Sequence, residues 1–315
     1  MYLVTGATGF VGRNLVAQLL AHGYRIRCLI PEHKLNALPW ETLPEIVVGH
    51  VLDEEALFRA VTGVYAVIHL ENAQWWGRPR DLERVELAGT RNLVAAARAA
   101  RVGRIITVSH LGAAPAAAYV LHRVKGLVEE AIRSSGLAYT IIRSGIVFGE
   151  DDAFVNHIAL MLRANPIVFV MPGRGEVVLH PIYVGDLVQA LINALEREDT
   201  VDTLVEIGGP EYITLEDMIR TVMRVSGMPR VIVPMPPYIL RWSSGLYSRI
   251  LPRSLVTPQW LDILATNRTA PLSNAYQYFG IRPRRLEDTL LIYMRRRHYW
   301  GLLARSVMRR RPRSV

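Results

Sequence analysis

Residues 4–12 read V-T-G-A-T-G-F-V-G, and no other stretch constrains the fold as tightly. Before them, Met1–Val4 is a short apolar run suited to a buried strand. Gly6, Gly9 and Gly12 follow at three-residue spacing. From Asn14 to Ala21 the pattern turns helical, with Leu15, Leu19 and Leu20 on one face. Strand, glycine turn and helix start come in the order that a phosphate site needs. Backbone must approach a pyrophosphate closely, so side chains must be absent there. The helix N-terminus then offers free N–H groups and partial positive charge. This context, more than the glycine triplet itself, makes the stretch a dinucleotide signal.

At 315 residues the chain can bury one large core with a smaller part attached. Half of it is apolar and a fifth is charged, as in ordinary globular proteins. The single cysteine, Cys28, excludes a disulfide framework and a thiolate metal site. Within R-I-R-C-L-I it reads as inert core. No apolar run reaches the length of a membrane span; the best are broken by Pro172, by Pro234, Pro236 and Pro237, or by charge. The strand at the very start argues against a signal peptide. The net charge of +9 is misleading until it is located. Residues 295–315 carry eight arginines and no acids, which leaves about +1 for the rest. A nucleic-acid-binding domain would carry its basic stripe on the folded surface, so nucleic acid is not an expected partner.

The first half alternates strand and helix signals, the pattern of a doubly wound parallel α/β sheet. Strands are expected at Met1–Val4, Tyr24–Ile30, Ile46–Val48, Tyr65–Leu70, Arg104–Ser109 and Ala138–Val147. The fourth, Y-A-V-I-H-L, reads as fully apolar. Helices are expected after Asp53 through Val61, over Leu82–Ala100 and over Val120–Ser134. After Glu150 the rhythm changes. Asp151–Ala164 looks helical, and Pro166 to Gly175 looks like a loop. Strands at Val177–Leu179 and Leu204–Gly208 flank a helix from Val184 to Leu195. Thr214 caps a helix through Ser226, with Asp217 three residues on. Residues 234–258 are proline-punctuated and read as a cap over a pocket, with Tyr238, Leu240, Trp242, Leu246 and Tyr247.

In open parallel sheets, ligands bind outside the carboxyl ends of the strands. Those ends are Thr5–Gly12, Pro31–Lys34, Gly49–Val51, Leu70–Trp76, Ser109–Ala113 and Arg143–Gly149. Several motifs lie on or beside them: T-G-A-T-G-F-V-G, V-I-H-L, G-T-R-N-L-V-A-A-A, V-S-H-L-G-A, K-G-L-V-E-E and R-S-G-I-V-F-G. Together they resemble the extended and atypical short-chain dehydrogenase/reductase superfamily, the epimerase/dehydratase-like kind. The later H-P-I-Y-V-G-D-L and E-I-G-G-P-E-Y-I-T-L-E-D-M are similar to the branch with the nucleotide-binding accessory subunit of respiratory complex I and its bacterial relatives. The resemblance runs from Met1 to about Arg297.

It implies a Rossmann-type core holding NADP or NAD, with a smaller C-terminal cap. The core is expected over 1–155 and 176–208, the cap over 156–175 and 209–294, and a basic tail over 295–315. Thr5, Gly6, Thr8, Gly9, Phe10, Val11 and Gly12 would line the pyrophosphate turn. Arg13 would reach an adenosine 2′-phosphate, for which a guanidinium is a forked donor. His33 and Lys34 in the second-strand loop would help. Pro31 stands where many NADP-using relatives have arginine, and Glu32 is one step from where an acid would hold a free ribose hydroxyl. The balance favours NADP mildly over NAD. His50 stands where relatives often have aspartate, and the Val51 backbone would meet the adenine edge. Leu70, Lys125 and Arg143 complete the expected cofactor contacts.

The catalytic pattern is broken. Relatives use Tyr-x-x-x-Lys, two side chains on one helix face, the ammonium lowering the phenol pKa. Here Lys125 is present, Glu129 follows, and the tyrosine position is Leu121. Tyr119 lies on a different helical face. Ser109 is near where the family's serine orients substrate, and Ser144 replaces a proline after Arg143. His110 and Tyr183 are the alternative acid–base residues, with His122 and Glu71 behind them. Trp75 and Trp76 suit ring stacking, a lid anchor or a partner contact. No histidine–carboxylate cluster has zinc spacing, so no metal is expected.

The expected function is therefore a nucleotide-binding protein, oxidoreductase-related or accessory to a quinone-linked or respiratory system. The alternatives are a non-catalytic nucleotide-bound scaffold at a membrane complex, and an epimerase, dehydratase or carbonyl reductase with another proton donor. Leu286–Met308 can be drawn as a helix with aromatics beside arginines, suited to an anionic membrane surface or an acidic protein partner. The expected location is the cytoplasm, at the inner face of a membrane if the tail docks there. An unidentified small molecule would lie under the cap.

Overall fold

A computed structural model describes residues 1–72, 82–242 and 258–294. Its centre is one parallel sheet of seven strands. The strands of the first half are β1 (Tyr2–Thr5), β2 (Ile26–Ile30), β3 (Glu45–Val48), β4 (Ala66–His69), β5 (Arg104–His110) and β6 (Ala138–Ser144). Helices α1 (Phe10–Ala21), α2 (Glu54–Val61), α3 (Gly89–Ala99) and α4 (Val120–Arg133) connect them. Later, β7 (Thr203–Ile207) joins β6 in parallel, which gives the order β7-β6-β5-β4-β1-β2-β3 across the sheet. The chain starts at β1, runs outward to β3, then returns past β1 to β4 and beyond. The strand order therefore reverses between β1 and β4, which is where such sheets bind ligands.

Both faces of the sheet are buried, as parallel sheets require. Val4, Cys28, Ile68, Ile106 and Ile142 pack on α1 and the helix Val184–Glu196. Leu3, Leu29, Val67, Ile105 and Ile141 pack on α2, α3 and α4. Cys28 is wholly buried, and burial pushes its thiol up to about 12. A third apolar cluster lies apart from these, built on helices Val155–Ala164, Leu215–Ser226 and Leu286–Tyr293.

The chain departs from its sequence pattern at five places, each for a local reason. The helix expected over Leu82–Ala100 is two segments, a wide π-type turn at Leu82–Ala88 and then α3. The sixth strand ends at Ser144 because Gly145 passes directly against the backbone of 180; a Cβ there would sit 1.7 Å from the His180 carbonyl oxygen. Val147–Phe148 then pairs with Ile182–Tyr183. The helix expected from Asp151 begins at Val155, since the Asp152 carboxylate caps it by accepting from the N–H groups of Phe154, Val155 and Asn156. The stretch expected as a loop after Pro166 contains a strand, Val168–Pro172, paired in parallel with Val231–Met235. Prolines stand in both strands, tolerated because the pair is two-stranded and every strand is an edge. The fourth strand is not wholly apolar, because it ends in the buried His69.

Other local readings hold. Thr214 caps its helix by accepting from the Asp217 N–H at 3.1 Å. Its hydroxyl donates to the Asp217 carboxylate at 2.7 Å, so the shorter acid closes the cap side chain to side chain. Residues 73–81, with Trp75 and Trp76, lie outside the described residues, as do Leu246, Tyr247 and the tail from 295. No helix among the described residues is long and apolar enough to cross a membrane.

Candidate nucleotide site

The turn between β1 and α1 is built for an anion. Gly6 has φ +68°, and a Cβ on it would lie 2.4 Å from the Leu70 carbonyl oxygen. A Cβ on Gly12 would lie 2.2 Å from the Gly6 oxygen. The Gly9 N–H closes the turn onto the Gly6 carbonyl at 2.9 Å. Gly9 caps α1 without a side-chain hydrogen bond, and the first turn holds no acid. The N-terminal N–H groups of α1 and their dipole therefore meet no acid from the helix's own first turn. A dinucleotide pyrophosphate fits these residues. Thr5 is fully buried, and Thr8, Phe10 and Val11 are half-buried around the turn.

Glu71 follows β4 beside this cradle. Burial pushes its carboxyl above the usual range, while Lys34 and the Gly6 N–H pull it back and Glu86 pushes it up. Lys34 and His33 lie in the short helix Glu32–Ala37 after β2. After β3, the His50 ring accepts from the Leu52 N–H at 3.2 Å. Val51 is buried against α3 at Gly89, whose missing Cβ makes the room. Arg13 does not stand free: its Nη2 lies 3.0 Å from Asp151 Oδ2, and its guanidinium covers the Phe10 ring at 5.7 Å.

The residues of the expected catalytic pattern are taken up by the core and by an ion pair. Leu121 is 3% exposed and belongs to the core under the sheet. Lys125 Nζ lies 2.7 Å from Glu86 Oε2, with both side chains almost wholly buried. Glu86 comes from the π-type turn, which a second buried device holds in place. The Thr90 hydroxyl donates to the Glu86 carbonyl, so His69 Nε2 donates to Thr90 Oγ1 at 3.0 Å. Its Nδ1 then accepts from the Thr5 hydroxyl at 2.7 Å. This chain links β1, β4 and the turn carrying Glu86.

Arg143, expected beside the cofactor, is committed elsewhere. Its guanidinium forks onto Glu129 at 2.9 and 2.7 Å, reaches Glu206 at 3.1 Å and donates to the Ala113 carbonyl at 2.8 Å. Glu129, one turn beyond Lys125, thus serves Arg143 and not the lysine. Tyr183 starts the helix Val184–Glu196, its ring against Phe148 and under the Arg284 guanidinium at 5.1 Å. Burial and the nearby charge of Lys125 pull the His110 pKa well below its ordinary value, so its ring is neutral at pH 7. Ser109 Oγ is buried with no hydrogen-bond partner, while Ser144 Oγ donates weakly to the Ser109 carbonyl at 3.4 Å.

Residues 6–162, about half the chain, match the family described as NAD(P)H-binding. These residues form an NAD(P)H-binding domain of that family. Its cofactor is NAD or NADP. The chain is 25% identical to mouse NADH dehydrogenase [ubiquinone] 1 alpha subcomplex subunit 9, mitochondrial, over 98% of its length and 83% of that protein's. It is 24% identical to the photosystem II assembly factor Ycf39 of Synechocystis, covering 97% of this chain and 92% of that one. Its fold matches the NADPH-dependent quinone oxidoreductase QOR2 of Escherichia coli, solved with NADPH, at a TM-score of 0.74 and 18% identity. That match covers 92% of this chain and 98% of the other.

A bound dinucleotide would supply hydride chemistry at its nicotinamide. Gly6, Gly9, Gly12 and the start of α1 would hold the pyrophosphate, and Lys125 would face the nicotinamide ribose. Sequence reasoning missed Glu86. Its signal was present: Glu86 stands three, four and seven residues before Gly89, Thr90 and Leu93, all buried. An acid on that face needs a buried partner.

Proposed function

We propose that this protein binds NAD(P) as a resident ligand and serves a larger redox assembly as an accessory subunit or assembly factor. The core at 1–155 and 176–208 holds the nucleotide, and the cap at 156–175 and 209–294 closes over it. The observation that carries this reading is the pair Lys125–Glu86 beside Leu121. In the tyrosine–lysine mechanism the ammonium must act on a phenol. Here the phenol is missing and the ammonium is spent on a carboxylate. The neutral His110 offers no cationic acid in its place. One relative is named as a subunit of a complex and the other as an assembly factor, which supports the same reading.

The test is a titration of the full chain with NADPH and NADH, followed by nicotinamide fluorescence, beside turnover with carbonyl and quinone substrates. Micromolar binding without turnover is expected. Failure of both nucleotides to bind, or turnover at an ordinary enzymatic rate of about 1 s⁻¹ or more, overturns the reading. Residues 295–315, with eight arginines and no acids, support attachment to an anionic membrane surface. Co-sedimentation with phosphatidylserine vesicles should fall at high salt and on removal of 295–315. Unchanged binding after that deletion removes the tail from the account.

A further inference from the structure

Beside the nucleotide cradle, a second group of polar side chains lies at the end of β5 with no use in the reading above. Arg268 comes from the segment between helices Pro258–Ile263 and Asn274–Phe279. Its half-buried guanidinium lies over Gly112, in the loop after β5; a Cβ there would be 3.4 Å from Arg268 Nε. Arg268 donates to Thr266 Oγ1 and to the Asp262 carbonyl oxygen, each at 3.2 Å. The Asp262 carboxylate itself is taken by Arg241. Among the described residues no carboxylate is within ion-pair reach of Arg268. Burial lowers its pKa to about 10, so it stays charged at neutral pH.

His122, in α4, is 1% exposed with neither ring nitrogen hydrogen-bonded, and its carbonyl accepts from the Ala114 N–H in the loop after β5 at 3.2 Å. The loop after β5 joins the three groups: His110 leads into it, Arg268 packs on its Gly112, and the His122 backbone is hydrogen-bonded to its Ala114. Ser109 Oγ, on the same strand end as His110, is a further buried polar atom without a partner. A buried donor or acceptor left unmade costs about 1–3 kcal/mol. Two ring nitrogens, a hydroxyl and a guanidinium with no carboxylate partner border the loop after β5, and a polar ligand there would satisfy them.

We propose that Arg268, His122 and His110 form a binding site for the carboxylate group of a small molecule held between cap and core. The charge count selects a monoanion. Arg268 supplies one cation, the histidines are neutral, and Lys125 is already balanced by Glu86. A planar fork suits a carboxylate with two parallel hydrogen bonds. A neutral imidazole adds one N–H donor without adding charge. The site goes beyond nucleotide binding and is read out separately from it.

The test uses the full chain with NADPH, and formate as the minimal probe, since it carries the carboxylate and demands no pocket shape. Side-chain NMR of labelled histidine reports on His122 directly. Formate should shift the His122 resonances saturably, and formamide, its neutral counterpart, should not. Arg268→Met should weaken formate binding by about tenfold or more, with Arg268→Lys between it and the native protein. His122→Phe should weaken it too, read by thermal stabilisation. No response to formate at tens of millimolar, an equal response to formamide, or tighter binding of inorganic phosphate overturns the proposal. So does an unchanged response in a folded Arg268→Met protein. NADPH titration in the same samples separates this failure from failure of the nucleotide reading.

Discussion

Lys125 Nζ and Glu86 Oε2 are 2.7 Å apart, and their side chains are 5% and 1% exposed. Such a pair adds little net stability as long as it is whole, because desolvation offsets attraction. Breaking one side is different, since it strands a charge in the core. Lys125→Met or Glu86→Leu alone should therefore destabilise the protein by about 3–5 kcal/mol in urea unfolding. The double variant should recover most of that loss. If the two losses simply add, the residues are not coupled and the pair is not a unit.

Leu121→Tyr tests whether the missing phenol is the sole defect. Leu121 is packed into the core under the sheet, so extra bulk should cost about 1–3 kcal/mol. The new hydroxyl would stand one turn from Lys125, yet that ammonium remains on Glu86. Carbonyl reduction should stay at background in this variant, measured by NADPH oxidation. Turnover on adding the tyrosine alone would show that Glu86 does not neutralise the lysine for catalysis.

How much of this was legible in the chain differs by level. The glycine turn and the alternating strands announced the sheet because their constraint is local: a close backbone approach and a period. Leu121 was legible because a single position carries the pattern. Glu86 was not, because its role depends on a π-type turn that aims it at a helix 39 residues away. Arg143 misled for the same reason. Its place at a strand end suggested a ligand, while its partners Glu129 and Glu206 lie on other elements. Arg268 carries no local signal at all. Its meaning comes from what the fold withholds from it.

The buried histidines make stability depend on pH in a defined direction. Burial, aided by Lys125, lowers the His69 pKa to about 3, and burial with Arg268 lowers that of His122 to about 3. The unfolded chain binds these protons near pH 6.5, the native state only near pH 3. Stability is thus complete above about pH 6.5 and is lost as pH falls toward 3, by about 1.4 kcal/mol per pH unit for each group. Asp152 acts oppositely. Burial raises its carboxyl to about 6, so acidification relieves a buried charge there. Burial raises the carboxyls of Glu71, Asp186 and Asp262 as well, so the histidine contribution is read by difference, from the slope of the urea midpoint against pH below 6 in the native protein and in a variant. His122→Phe should lessen that slope by about one proton. An unchanged slope would place His122 in contact with solvent.

The Arg13–Asp151 pair offers a test of how the site treats the two nucleotides. Their side chains are 31% and 51% exposed, and a pair so placed is worth about 0–1 kcal/mol. Asp151 is therefore a weak competitor for the guanidinium, and the dianionic 2′-phosphate of NADP can displace it by offering a forked contact. Arg13→Gln should weaken NADPH binding by about tenfold and leave NADH nearly unchanged. Asp151→Asn should do the reverse, tightening NADPH by up to about fivefold through loss of the competitor. Fluorescence titrations with both nucleotides check the pair together. Equal weakening of NADH and NADPH by Arg13→Gln would mean that the guanidinium serves the pyrophosphate helix and reads no 2′-phosphate.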